Sequence, residues 1–353
     1  MINIKENFLK IILIVSFAFI NYYLCNFQKF YYFYFKYLRS NFSNNSIKLF
    51  LYKENQNFFN FKNEQMINIT LSLDNSHIYP TLVLMTSALE NNDKEKHLLI
   101  FYLLLSHDFN MNNIKVFESL KSKYNVGINY YCIPNLFKSL RKWKNSTAIY
   151  YKLLISLLIP NTKKIIHLDG DTLVFKDLYE LFNLPFNDNY YLAQPTRKHN
   201  FKDKKMIKRV INVGVILINI EKLRNENKDF EILYYLFNKN FTEQLAINYV
   251  CNSKIGYLPF KYGIFANIHK KNNTYNNYLS MKLDKKVNKT EVIEAINNPS
   301  IVHILCCNPK HWYKRYKILD KKNYEICIKY HNFFVFYAKK TKYYNVIYNV
   351  FMK

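Results

Sequence analysis

Glycine is scarce in this chain, with five in 353 residues beside eight prolines. Asn, Ile, Tyr and Phe are abundant instead, and their AT-rich codons make base composition the simplest source of the bias. A glycine kept against such a bias points to a need of the backbone. Four of the five, Gly170, Gly214, Gly256 and Gly263, fall between residues 170 and 263. The six cysteines (Cys25, Cys132, Cys251, Cys306, Cys307 and Cys327) include no C-x-x-C pair and no zinc spacing, which argues against a structural zinc or a dithiol redox motif. Acidic residues are also short. There are 25 Asp and Glu against 51 Lys and Arg, only six of them arginine, for a net charge of +26. Such an excess suits an anionic membrane surface, nucleic acid or a phosphorylated substrate, and equally a solvated lysine surface with no specific partner.

The length leaves room for one large domain or two modest ones. Residues 1–25 contain an apolar run from Ile11 to Leu24 after Lys5 and Lys10, which reads as a signal anchor. The run is shorter than a comfortable span of about 20 residues, so a cleaved signal and an interfacial helix are its alternatives. Residues 26–65 lead through aromatics into an Asn-, Ser- and Lys-rich stretch with the composition of a stem or linker.

From residue 66 strands and helices alternate. The pattern predicts strands over Met66–Leu73, His97–Leu105 and Val126–Cys132, and helices over Tyr79–Glu90, Asn112–Lys123 and Ala148–Ile159. Repeated βαβ units imply an α/β fold with a mainly parallel sheet, whose ligands gather at the carboxyl ends of the strands. A strand over Asn212–Asn219 opens on Asn-x-Gly, Thr242–Val250 reads as a helix, and Ile301–Leu305 is a late strand carrying His303. Residues 321–353 alternate aromatics with lysines in a weakly helical pattern, read as a basic aromatic tail facing an anionic membrane or as an ordinary C-terminal helix.

The most informative stretch is Lys163-Lys-Ile-Ile-His-Leu-Asp-Gly-Asp-Thr-Leu-Val174. An apolar strand ends on two carboxylates one residue apart, and alternate residues of extended chain point the same way. Asp169 and Asp171 can therefore converge on one divalent ion, while Gly170 admits a bulky ligand close to the backbone. Asp74, one residue past the first strand, shares that edge of the sheet.

Five ordered segments then resemble the family 8 glycosyltransferases over about residues 66–315. They are Ile69-Thr-Leu-Ser-Leu-Asp74, Tyr150-Tyr-Lys-Leu-Leu154, His167-Leu-Asp-Gly-Asp-Thr172, Ile211-Asn-Val-Gly-Val-Ile-Leu-Ile-Asn219 and His303 to Trp312. The resemblance implies a single nucleotide-binding domain of GT-A type over residues 66–320, with a mainly parallel mixed sheet. It implies a hexosyltransferase that takes glucose or galactose from a UDP-sugar, with retention of configuration, to a hydroxyl of a glycan, glycolipid or glycoprotein. Asp169, Asp171 and His303 match the family's metal ligands, and two carboxylates with an imidazole suit Mn²⁺, with Mg²⁺ the alternative.

The resemblance also assigns roles to other residues. Ser72 and Asp74 match positions that bind uracil and ribose, and Lys152 stands where arginine is usual near the donor sugar and phosphate. Lysine keeps the charge and loses the planar fork. Asn212 and Gly214 match positions beside the donor sugar. Glu243 and Gln244 match an Asp-Gln pair, the Gln carbonyl lying under the anomeric carbon; read alone, Thr242-Glu-Gln is only a helix start. Lys310 and Trp312 match the closing motif, where a lysine stabilises the departing UDP, although Cys306 occupies a usual glycine position. The mechanism implied is departure of UDP through an oxocarbenium-like state, with the acceptor attacking from the same face.

Two rival readings follow from the same residues. One is a catalytically degenerate UDP-sugar-binding domain, suggested by Lys152, Glu243 and Cys306. The other is a basic nucleic-acid-binding protein, which leaves the paired carboxylates unexplained and has no recognised motif, so no nucleic-acid partner is expected. The anchor predicts a membrane-associated protein. In a eukaryote that is a single-pass type II protein of the ER or Golgi lumen, with sequons such as Asn68-Ile-Thr70 open to glycosylation; in a bacterium it is the cytoplasmic face of the inner membrane.

Overall fold

A computed structural model describes residues 65–142, 146–159, 161–200, 206–265, 289–304, 310–313 and 324–353. The expected anchor and stem therefore lie outside the described residues, as does Cys306. Among the described residues, no helix is long and apolar enough to cross a membrane.

The strands, in chain order, are β1 Met66–Leu73, β2 Leu98–Leu105, β3 Val126–Cys132, β4 Lys164–Leu168, β5 Thr172–Val174, β6 Tyr191–Asn200, β7 Met206–Asn219, β8 Ile255–Tyr257, β9 Tyr262–Phe265 and β10 Ile301–His303. Seven of them form one mixed sheet in the order β3-β2-β1-β4-β7-β6-β8, and three form a second in the order β5-β10-β9. The first half of the large sheet is parallel, β1 pairing with both β2 and β4 and β2 with β3, as the βαβ pattern requires. β7 runs antiparallel to β4 and β6. That long hairpin was not legible in the sequence, where β7 was expected to begin at Asn212.

Ile67, Ile69, Leu71 and Leu73 of β1 are all buried, and so is Thr70 between them, because the strand is covered on both faces. The sequon at Asn68 consequently lies inside the sheet. Asn68 Oδ1 accepts from the Tyr102 hydroxyl at 3.2 Å, which is not the exposed loop that glycosylation needs.

Among the described residues, the helices of nine or more residues are α1 Ile78–Glu90, α2 Lys228–Lys239, α3 Glu243–Cys251, α4 Lys289–Asn297 and α5 Tyr324–Ala338. Eleven of the thirteen residues of α1 are buried, more than one face supplies, because it meets β5 on one side and α5 on another. The helix expected over Asn112–Lys123 is broken into a 3₁₀ turn, a short α-helix over Ile114–Glu118 and a second 3₁₀ turn. Likewise Ala148–Leu154 is 3₁₀ and only Ile155–Leu158 is α-helical. A seven-residue 3₁₀ run exceeds the usual three or four, and this one carries Lys152.

The C-terminal segment packs on the domain. Tyr330, Phe334, Phe351 and Met352 are buried in the core that also contains α1, each aromatic contributing about 1.5–3 kcal/mol of burial. Asn91 donates to the Tyr337 hydroxyl at 2.8 Å and Lys340 donates to Glu90 at 2.6 Å, so α5 and the residues just after it are tied to the end of α1.

Candidate active site

Asp169-Gly170-Asp171 joins the two sheets, since β4 ends at Leu168 and the chain enters β5 at Thr172. Backbone bonds pin both ends of the link. The Asp169 N–H donates to Gly214 O of β7 at 2.7 Å, and the Ile304 N–H donates to Asp171 O at 2.8 Å. Antiparallel pairing of β10 with β5 sets His303 opposite Thr172. A histidine 132 positions along the chain thereby reaches Asp171, its Nε2 lying 3.0 Å from Oδ1.

One ligand atom from each of Asp169, Asp171 and His303 lies within 4.8 Å of the others, a spacing that fits one ion. Gly214 makes the cluster sterically feasible. A Cβ there would fall 2.1 Å from His303 Cε1 and 2.8 Å from Asp169 Oδ2, so the crossing of β7 beneath the ligands excludes any side chain. At Gly170 the nearest atoms to such a Cβ are 3.8 and 3.9 Å away, and the protein itself imposes no such demand.

Charge is balanced within the cluster. Lys152, whose side chain is 1% exposed, donates to Asp169 Oδ1 at 2.8 Å and to Val213 O at 3.1 Å. Lys310 is ion-paired with Asp171 Oδ2. Desolvation would raise the Asp169 carboxyl, but the Lys152 charge and a hydrogen bond from His167 outweigh it and hold it well below the usual range. For Asp171 desolvation is likewise outweighed, by the charges and hydrogen bonds of His303 and Lys310. Both carboxylates are thus kept ionised, as metal ligands must be. Glu243 goes the other way: desolvation raises its carboxyl, and Lys152 offsets this only in part.

The residues expected beside the donor form a connected line. Thr242 caps α3 through the Leu245 N–H, so Glu243 and Gln244 do begin a helix, as their sequence read alone suggested. Asn248, fully buried one turn later, accepts from Ile211 N–H at 2.8 Å and donates to Ile211 O at 3.2 Å and Gln244 O at 2.7 Å, pinning that helix start to β7. Asn212 then donates to Gln244 Oε1 at 3.5 Å, accepts the Gly214 N–H at 2.9 Å and lies 3.1 Å from His303 Nδ1. Gln244, Asn212 and His303 are therefore in register with one another.

Asp74 stands apart at the end of β1. Its carboxylate accepts from Ser76 N–H and Oγ at 2.9 and 2.6 Å and lies 3.0 Å from His77 Nδ1. Desolvation raises this carboxyl, and hydrogen bonds from His77, Ser146 and Ser76 more than compensate. It caps the turn after β1 and also lines a cavity of about 480 Å³ with Ser106, Asp108, Lys138 and Ser146. Ser72 Oγ is buried without a protein partner at the same strand end. Trp312, 3% exposed, packs edge-on against His77 and beside Phe334, and so underlies the site as core.

Two residues escaped the sequence reading. His167, fully buried, places Nε2 3.1 Å from Asp169 Oδ1. The period-2 rule that pairs Asp169 with Asp171 also puts His167 on their side, so the signal was there. Asn248 had no such signal, being one asparagine of many in a helix.

The family model for Glycosyl transferase family 8 matches residues 68–316. A Haemophilus influenzae protein named as a glycosyltransferase is 25% identical over 268 residues, 71% of this chain and 74% of its own. Among solved structures, the bifunctional glycosyltransferase WbbM superposes with a TM-score of 0.62 at 17% identity, over 83% of this chain and 53% of WbbM, so this chain spans about half of that protein. An active-site variant of LgtC gives 0.60 at 16% identity, over 78% of this chain and 96% of LgtC. LgtC has also been solved as a galactosyltransferase with donor and acceptor sugar analogues. These structures share the GT-A-like mixed sheet found here. A family match that runs from β1 past the last predicted ligand, with the carboxylate cluster at its centre, makes this chain a member of glycosyl transferase family 8.

Proposed function

We propose that this glycosyltransferase moves a hexose, glucose or galactose, from a UDP-sugar to a hydroxyl of a glycan, glycolipid or glycoprotein, with retention and with Mn²⁺ bound. The observation that carries the reading is the convergence of Asp169, Asp171 and His303 over the side-chain-free Gly214. These three residues would hold the ion, which when bound would supply Lewis-acid stabilisation of the departing diphosphate.

The chain's own residues supply the rest. Lys152 and Lys310 already balance Asp169 and Asp171, so a divalent ion would leave the site positive and a diphosphate would restore the balance. Lys310, 19% exposed, is the more accessible of the two lysines and is the one we assign to the leaving group. The cavity beside Asp74 has the volume of a small-ligand site, and we assign it to the uridine, with Asp74 as an acceptor on its wall. Ser72, whose Oγ is buried at the same strand end and does not line the cavity, we retain as a uridine contact from the family resemblance alone. Gln244, held by Asn212 and Asn248, would present its carbonyl oxygen to the anomeric centre as positive charge develops. Glu243 would hold sugar hydroxyls, as a half-buried acid whose carboxyl feels the Lys152 charge. We also retain the membrane-associated placement expected from Ile11–Leu24 as part of this proposal.

The experiment is UDP release by the full chain from UDP-glucose, UDP-galactose and UDP-N-acetylglucosamine, with Mn²⁺ or with chelator. Metal-dependent release from a hexose donor is expected. Binding of UDP without release from any donor would instead support the degenerate reading, which the engagement of Lys152 by Asp169 favours.

A further inference from the structure

The two oxygens of Asp169 have different surroundings. Oδ1 accepts from Lys152 Nζ at 2.8 Å and lies 3.1 Å from His167 Nε2. Oδ2 faces the space over Gly214 that His303 also borders, 2.8 Å from where a Cβ of that glycine would stand. An ionised carboxylate oxygen only accepts, so the ring proton of His167 sits on Nε2. Nδ1 of the same ring is buried without a partner, so the one hydrogen bond this fully buried side chain makes is spent on the carboxylate. Lys152 is fixed as firmly, since its second bond goes to the backbone of β7 at Val213.

Both residues are set by local geometry. His167 and Asp169 are alternate residues of extended chain, which puts them on one side. Lys152 comes from the long 3₁₀ run, packed against β1. Neither points to solvent; the Lys152 charge also acts on Glu243, whereas His167 has no other hydrogen bond among the described residues.

We propose that Lys152 and His167 act together as a positioning pair that occupies Oδ1 of Asp169 and presents Oδ2 alone to the divalent ion. The pair rests on the metal-dependent reading given above. In this chain, then, the lysine at position 152 serves a ligand of the metal instead of reaching the donor sugar, and His167 completes its task. A ligand carboxylate whose outer oxygen is fixed by hydrogen bonds loses little freedom on binding, and removing such a partner typically weakens metal affinity about 10- to 100-fold.

His167 is the cleaner probe of the two. Replacing Lys152 removes a positive charge next to the ion as well as a donor, and the two changes act on affinity in opposite directions. His167→Leu removes only the donor, while His167→Gln places an amide N–H near the position of Nε2. His167→Asn, whose amide stops short of Oδ1, serves if leucine prevents folding. Mn²⁺ affinity of the full chain is measured by electron paramagnetic resonance of the free ion, with circular dichroism confirming the fold and Asp171→Asn as reference.

The expected result is that wild type binds, Asp171→Asn does not, His167→Leu and His167→Asn bind at least about tenfold more weakly, and His167→Gln returns to within about threefold of wild type. Leucine and asparagine variants that bind like wild type overturn the positioning pair and leave the metal reading intact. A glutamine variant as weak as leucine also overturns it, because the hydrogen bond is then not the cause. Wild type that binds no Mn²⁺ overturns the metal reading itself, and the pair with it.

Discussion

The carboxylate that ends β1 and the pair that follows β4 stand at the same edge of one sheet and are held in different ways. Asp74 takes most of its partners from Ser76 and His77, two and three residues on, as an N-cap does, with Ser146 as a distant one. Asp169 and Asp171 take theirs from Lys152, His303 and Lys310, up to 139 positions away. A locally satisfied carboxylate can be changed with little effect beyond its turn. A carboxylate satisfied from distant segments ties those segments together, and its loss leaves buried cations unpaired.

The largest effect is therefore expected at Asp171. Asp171→Asn removes a proposed metal ligand and strands His303 and Lys310, and on the proposed function UDP-sugar turnover should fall about a thousandfold, as loss of several kcal/mol of metal-borne stabilisation requires. Gly214→Ala should come next. Its Cβ would stand 2.1 Å from His303 Cε1, so β7 or the histidine must move, costing about 1–3 kcal/mol in a thermal melt and separating the ligands. Gly170→Ala meets nothing nearer than 3.8 Å, and its melting temperature should match wild type. A steep loss of stability at Gly170 with none at Gly214 would reverse the comparison.

At the other strand end, Asp74→Asn should raise the KM for the donor roughly tenfold to a hundredfold with little change in kcat, the worth of about 1.5–3 kcal/mol for a charged hydrogen bond. A fall in kcat equal to that of Asp171→Asn would show that the two strand ends do not divide the work as their partners suggest.

Glu90 gives the smallest effect, far from the site. Burial would raise its carboxyl, but Lys123, Lys340 and Tyr124 outweigh it and hold it down to about 2. A depressed carboxylate adds stability that is complete above its ordinary value of 4.5 and is lost as pH falls through about 2. Glu90→Gln should cost about 1–2 kcal/mol at neutral pH, the half-exposed Lys123 contributing least, and the gap between the two melting curves should close between pH 4.5 and pH 2.

These contrasts also explain what the sequence could reveal. β1 was read with its observed bounds, because a strand and the turn that stops it are local events. Asp169, Asp171 and His303 were legible through the order of five short segments, and the structure brings exactly those three together. Lys152 was placed in the site but with its charge directed at the donor; its burial against Asp169 depends on a 3₁₀ run that reads as an ordinary helix. The β6–β7 hairpin and the packing of Tyr330 and Phe334 on α1 were not legible, since they depend on partners far along the chain. The segment from His303 to Trp312 carries its motif in sequence, yet Trp312 packs into the core, which composition alone does not distinguish.

The most direct test of the divided site is a calorimetric titration of UDP into the full chain, with and without Mn²⁺, for wild type, Asp74→Asn and His303→Ala. The expected result is tight binding only with Mn²⁺ in wild type, weaker but still metal-dependent binding in Asp74→Asn, and loss of the metal dependence in His303→Ala. Equal affinity of the wild-type chain for UDP with and without Mn²⁺ would contradict it.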